Sequence, residues 1–168
     1  MRSITTLDQK IFPFKVEDVF KVISNFETYK EWFPEGTKVI LLESTPKAIG
    51  SIIQVKTGIV SFNMELMKIN PNKEIFVRYS GAYEGEGIWY FFETTTGTKV
   101  MYEIDLKIKN PLVVLINFFV NVSALHSKIM TKIFDRLEKY LNKIYNVNSN
   151  SLNNNSNAQP KIFNITSN

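Results

Sequence analysis

Between Thr98 and Lys109 apolar residues recur at every second position. Val100, Tyr102, Ile104, Leu106 and Ile108 alternate with Met101, Glu103, Asp105, Lys107 and Lys109. A period of two over this length means a strand with one dry face and one wet face. Immediately afterwards, past Asn110-Pro111, the period becomes helical and holds as far as Tyr145. A half-dry strand that delivers its chain into one long helix leaves few solutions. The helix has to cover the dry side of a curved antiparallel sheet, and such an arrangement tends to enclose a cavity.

At 168 residues the chain is expected to form one domain with a sizeable core. Its 13 Phe and 7 Tyr exceed ordinary needs, but a lined pocket draws on the same side chains as a core, so composition does not separate the two. Cysteine is absent and histidine occurs once, which excludes disulfides and thiol nucleophiles and nearly every metal-binding constellation. No metal and no cofactor are expected. A net charge of +4 comes without any nucleic-acid motif, so no nucleic-acid partner is expected either. The opening MRSITTLDQKIF lacks the apolar stretch of a signal peptide. The longest apolar run, Pro111 to Val122, is interrupted by Asn117 and Asn121 and is too short to span a bilayer. The expectation is a cytoplasmic protein whose membrane contact, if any, is peripheral.

The last 23 residues hold 9 Asn and 4 Ser, a composition that buries too little to offset its ordering entropy. The reading is a folded domain over residues 1–145 followed by a disordered tail over 146–168. Inside the domain, Ser3–Phe12 reads as a strand ended by Pro13. A short amphipathic helix carries Val16, Val19, Phe20, Ile23 and Phe26, and a second runs through Tyr29 and Trp32 to Pro34. Strands follow at Thr37–Ser44, Ser51–Thr57, Val60–Ile69, Glu74–Ser80 and Gly85–Glu93, separated by Pro-, Gly- and Asn-rich turns. Short links favour an antiparallel meander.

Three segments in this order resemble the START-like (SRPBCC) superfamily. They are the helix pair Val19–Pro34 with its aromatic exit, the Ile69-Asn70-Pro71-Asn72-Lys73-Glu74-Ile75 turn, and Gly85-Glu86-Gly87-Ile88-Trp89-Tyr90-Phe91-Phe92-Glu93 followed by Gly97-Thr98-Lys99-Val100. The likeness is greatest to the polyketide cyclase/dehydrase and coenzyme-Q-binding group. It implies an α+β helix-grip fold, in which a curved seven-stranded antiparallel sheet wraps a long C-terminal helix and two short helices follow strand 1. It also implies a cavity for a hydrophobic ligand. The family includes cyclases, hydrolases and chaperone activators, so the fold leaves the activity open.

On a helical wheel Leu115, Phe119, Val122, His126, Ile129, Ile133, Leu137, Tyr140 and Ile144 share one face of the long helix. The only histidine thus points toward the sheet, as a general base, a ligand contact, or a core histidine satisfied by a carbonyl or tyrosine. Glu86 and Glu84, at the start of the aromatic strand, are either pocket-mouth carboxylates or solvated strand-end residues. Phe62, Met64, Leu66, Tyr79, Trp89 and Tyr102 are expected on the inner face of the sheet, together with Phe119, Val122, His126 and Ile129 from the helix. Both faces of Ile88–Phe92 are apolar, so parity does not say which points inward. Val113, Val114, Phe118, Val120 and Leu125 lie off the inner stripe, which suggests a lid, a homodimer contact or shallow membrane docking. A basic stripe over Lys128, Lys132, Arg136, Lys139 and Lys143 is either a solvated face or a match for anionic lipid. The leading reading is non-catalytic binding or transport of a lipid, isoprenoid or polyketide-like molecule. A cyclase- or aromatase-like enzyme using His126 or Glu86, and an interaction module with a filled core, are the alternatives.

Overall fold

A computed structural model describes residues 3–109, 111 and 121–156, with backbone alone at 122 and 146–156. Seven strands form one antiparallel sheet: β1 (Ser3–Phe12), β2 (Thr37–Glu43), β3 (Ile52–Thr57), β4 (Val60–Asn70), β5 (Glu74–Gly81), β6 (Tyr83–Thr94) and β7 (Gly97–Ile108). Their order across the sheet is β1-β7-β6-β5-β4-β3-β2. The meander expected from short links is therefore closed by β1, which returns to pair with β7 from Ser3↔Lys107 to Phe12↔Thr98. Register shifts at Leu41/Glu43 and Leu66/Lys68 mark irregularities that bend the sheet. At Gly97 a side chain is impossible, because φ is +140° and a Cβ would stand 2.1 Å from the Phe12 carbonyl oxygen.

Helix α1 (Val16–Ile23) buries Val16, Val19, Val22 and Ile23, and has Glu17 and Asp18 in its first turn, where the helix dipole favours them. A 3₁₀ turn (Phe26–Thr28) and α2 (Tyr29–Trp32) follow. The polar ends of the buried aromatics are satisfied locally: Tyr29 donates to the Ile23 carbonyl at 2.9 Å, and Trp32 Nε1 donates to Thr28 Oγ1 at 3.1 Å. This aromatic exit is a structural corner packed by its own residues, with Tyr29 and Phe33 stacked at 5.3 Å.

The long helix, α3 (Val122–Ser156), differs at both ends from the sequence expectation. It opens at Val122, because the Asn121 side chain accepts the Ala124 backbone N–H at 3.1 Å and so acts as an N-cap rather than a residue of the helix interior. It continues past Tyr145 as far as Ser156, since a helical backbone satisfies its own hydrogen bonds without needing an apolar face. Its buried line is Met130, Ile133, Phe134, Leu137 and Leu141. The wheel centred the stripe instead on His126, Ile129, Ile133 and Leu137. The rotation follows from position: α3 lies over β1 at the sheet edge. Phe134 faces Phe12 and Trp89, with ring centroids 5.9 and 6.2 Å away.

β1 inverts the usual pattern. Between Ile4 and Phe12, both buried, its inner face carries Thr6, Asp8 and Lys10, while Leu7 and Ile11 are 55% and 51% exposed on the other side. The polar inner face meets α3. Lys10 Nζ lies 2.7 Å from Asp135 and 2.8 Å from Glu138. Burial works against the Lys10 charge, and the two carboxylates more than offset it, so its pKa rises above the ordinary lysine value.

Candidate functional site

Because α3 lies along the β1 edge, its first described turns do not fill the space over the middle of the sheet. A cavity of about 290 Å³ remains there. Its floor is the inner face of β3 to β7, and its walls are α3 and the segment after α2, which contributes Phe33, Pro34 and Glu35. Other depressions are surface grooves; the larger is lined chiefly by loop residues such as Ser24, Asn25, Thr45 and Lys47.

The floor is built from two cross-strand rows, one through Trp89 and Tyr102 and one through Met64 and Tyr79. Trp89 stands opposite Tyr102, with the two rings stacked at 3.9 Å between centroids. Tyr79 reaches the Tyr102 hydroxyl with its own, and the pair is buried. Burial pushes both phenols above their ordinary pKa, so both stay neutral and keep their protons. Only one proton is used between two hydroxyls, which leaves the other O–H free to donate. Trp89 Nε1–H has no partner among the described residues, and Trp89 is only 2% exposed. That nitrogen is itself sealed from any water-sized space, so it is an uncompensated polar cost of the packed floor and not a contact that the cavity offers. Gly87 makes room for this arrangement: a Cβ there would lie 2.5 Å from the Tyr102 hydroxyl oxygen.

His126 contributes the polar group on the helix side. Its Nδ1 is 3.0 Å from Thr6 Oγ1 and 3.4 Å from Asp8 Oδ2. Thr6 in turn donates to Asp8 Oδ2 at 3.1 Å. Burial pulls the His126 pKa below its ordinary value, and the Asp8 carboxylate opposes this only in part. The partners are thus a hydroxyl and a carboxylate from β1, not the backbone carbonyl or tyrosine expected for a core histidine.

Seven of the expected ligand contacts line the cavity: Phe62, Met64, Tyr79, Trp89, Tyr102, His126 and Ile129. Ile129 does so from the mouth, 39% exposed beside Leu125, which is 44% exposed. Leu66 shares the face of Met64 but lies further along β4, where it is fully buried in solid core. Phe119 and the Val122 side chain lie outside the described residues, as do Val114 and Phe118. Glu86 is exposed and pairs in register with Arg78 and Asp105 on the outer face. The inner face of β6 belongs to Gly87, Trp89 and Phe91, which answers the parity question and removes Glu86 from the pocket. Of the basic stripe, Lys132 borders the cavity, Arg136 pairs with Glu35 at 3.3 Å, and Lys128 is exposed. Sequence reasoning missed Ile4, Phe33, Tyr83 and Met130. Ile4 shares its parity with the polar seam, and Met130 sits one position off the assumed stripe, so neither carries a clear signal.

Comparison with curated protein sequences gives no match. Among solved structures, the fold is similar to a START superfamily protein from Mycobacterium smegmatis, with a TM-score of 0.63 at 16% identity, covering 84% of this chain and 98% of that one. It is also similar to the di-domain ARO/CYC StfQ from the steffimycin biosynthetic pathway, with a TM-score of 0.65 at 12% identity, covering 86% of this chain and 52% of that one. The Aha1 dimer from Colwellia psychrerythraea matches with a TM-score of 0.56 at 13% identity, over 82% of this chain and 97% of that one. At such identities these likenesses establish the helix-grip fold and not an activity. Residues 12–128 match the family model described as polyketide cyclase / dehydrase and lipid transport. With the seven-stranded grip already in place, that match makes this chain a member of the polyketide cyclase / dehydrase and lipid transport family.

Proposed function

We propose that the protein binds and carries an apolar small molecule, lipid-, isoprenoid- or polyketide-like, in the cavity between sheet and α3. One observation carries this reading: a cavity of about 290 Å³ between the sheet and α3, lined by Phe62, Met64, Tyr79, Trp89, Tyr102 and Ile133. Desolvation of the ligand supplies most of the affinity, at about 25 cal/mol per Å² of apolar surface removed from water. The spare hydroxyl proton of the Tyr79–Tyr102 pair is the floor's donor to a ligand acceptor such as a carbonyl. Native mass spectrometry of freshly purified protein tests this. A co-purifying apolar molecule that is lost on denaturation is the expected result. A protein that stays empty after incubation with a fatty acid, an isoprenol and an aromatic ketone overturns it and leaves the interaction-module reading.

A second reading, a cyclase-like enzyme, is favoured by the Thr6–His126–Asp8 arrangement, because a histidine held by a carboxylate suits general-base work. His126→Ala separates the two. If ligand binding persists and a turnover present in the parent disappears, the protein is an enzyme.

Delivery of such a ligand requires contact with a membrane or a partner. The exposed Leu125 and Ile129 at the mouth, beside Lys132, suit an anionic lipid surface, with Lys128 and Arg136 on the same helix; Val114 and Phe118, which lie outside the described residues, are apolar in sequence and proposed as part of the same contact. We expect the protein to float with liposomes containing anionic lipid and to lose most of that binding in Val114→Asp/Phe118→Asp. Flotation unchanged by the substitutions excludes this edge as the anchor. A homodimer through the same apolar edge would appear instead as a doubled mass in sedimentation, abolished by the same pair.

A further inference from the structure

The hydrogen-bond chain behind His126 has a consequence for what the cavity accepts. A carboxylate oxygen can only accept, so Thr6 spends its single hydroxyl proton on Asp8 Oδ2, 3.1 Å away. Thr6 Oγ1 therefore has only lone pairs to offer His126 Nδ1 at 3.0 Å, and Nδ1 must bring the proton. Asp8 Oδ2, at 3.4 Å from the same nitrogen, reinforces that choice. Two residues of β1 thus hold the neutral imidazole in one tautomer, with hydrogen on Nδ1 and a bare lone pair on Nε2. Nε2 has no hydrogen-bond partner among the described residues, and it belongs to a side chain that lines the cavity.

We infer that His126 Nε2 is the acceptor for a hydroxyl of the bound molecule, so that the cavity selects apolar alcohols or phenols over hydrocarbons of the same shape. The inference rests on the cavity-binding reading above for its ligand half, and on the β1 geometry alone for its tautomer half. Thr6 and Asp8 are positioning residues: they touch the imidazole, not the ligand. The rest of the cavity fits this class: Thr37, Thr57 and Tyr83 line it with hydroxyl-bearing side chains beside the Tyr79–Tyr102 pair, and an alcohol oxygen can accept from such groups.

Two measurements test the two halves separately. The chain has a single histidine, so a long-range proton–nitrogen correlation spectrum of the whole protein at neutral pH contains one imidazole. Nδ1 should appear as the protonated, pyrrole-type nitrogen and Nε2 as the bare, pyridine-type one, and Thr6→Val with Asp8→Asn should abolish that bias. A protonated Nε2 in the parent overturns the tautomer. For the ligand half, 4-hexylphenol and its isostere 1-hexyl-4-methylbenzene are titrated into the parent and into His126→Phe, with Trp89 fluorescence as the signal. The preference for the phenol should be about tenfold larger in the parent than in the variant, the worth of one buried hydrogen bond. Equal preference in both proteins overturns the inference while leaving cavity binding intact. Failure of both probes to bind the parent overturns the carrier reading itself, and the tautomer is still decided by the spectrum. Should His126→Phe not fold, His126→Gln, whose amide can also accept, should retain part of the preference.

Discussion

A glycine and a histidine set the properties of the cavity at the scale of single residues. Gly87 permits the Trp89–Tyr102 stack because nothing larger fits against the Tyr102 hydroxyl. Gly87→Ala should cost about 1–3 kcal/mol by overpacking, read from urea unfolding. Tyr102→Phe in the same chain should recover part of that loss, giving a non-additive double-mutant cycle. For His126 the sign of the pH effect follows from its depressed pKa. The unfolded chain takes up a proton near the ordinary value of 6.5, while the folded protein resists until lower pH. The stability this provides is full above 6.5 and is lost as pH falls through the folded value. The charged groups nearby are Asp8 on β1, Lys132 on α3 itself and Glu35 at the cavity wall. Melting temperature should therefore fall more steeply between pH 7.5 and 5.5 in the parent than in His126→Asn, and parallel curves would refute the assignment.

The seam between β1 and α3 decides the shape of the molecule at the scale of elements. It is sealed by polar contacts, in which Thr6, Asp8 and Lys10 meet His126, Asp135 and Glu138. Ion pairs this close to solvent contribute little to stability, so their effect is mainly to fix where the helix lies. Asn121 fixes where it begins. Asn121→Ala should cost about 1 kcal/mol through the lost cap, whereas Asn121→Asp should be nearly neutral. The check is the urea midpoint at unchanged m value; a neutral Ala variant would show that the cap does not hold the helix start.

For the whole molecule, the cavity is the space left when a helix sits at one edge of a curved sheet and its buried line fills only one end. Phe134, Leu137 and Leu141 close that far end, and Leu66 is part of it. The near end stays open toward Ile129 and Leu125. Ile129→Trp should block the mouth without disturbing the core, because the position is 39% exposed. Binding of 4-hexylphenol should weaken more than tenfold, while the unfolding free energy stays within about 0.5 kcal/mol of the parent. No helix among the described residues is long and apolar enough to cross a membrane.

The amino-acid sequence by itself determined the strands, the sheet face of β7 and the family. Alternation from Val100 to Ile108 repeats a single physical demand, burial of one face, many times over. Most of the cavity residues on the sheet were legible for the same reason: Met64, Tyr79 and Tyr102 share inner-face parity with apolar neighbours. Tertiary structure alone decided the rest. In Ile88–Phe92 both parities are apolar, so only the neighbouring strands could choose Trp89 for the inside and turn Glu86 out. The polar inner face of β1 has no local signature, since Thr6, Asp8 and Lys10 become inward residues only when α3 brings their partners. The histidine was visible in the sequence as a lone residue on an apolar stripe. Its held tautomer was not, because the residues that hold it stand 120 and 118 positions earlier in the chain.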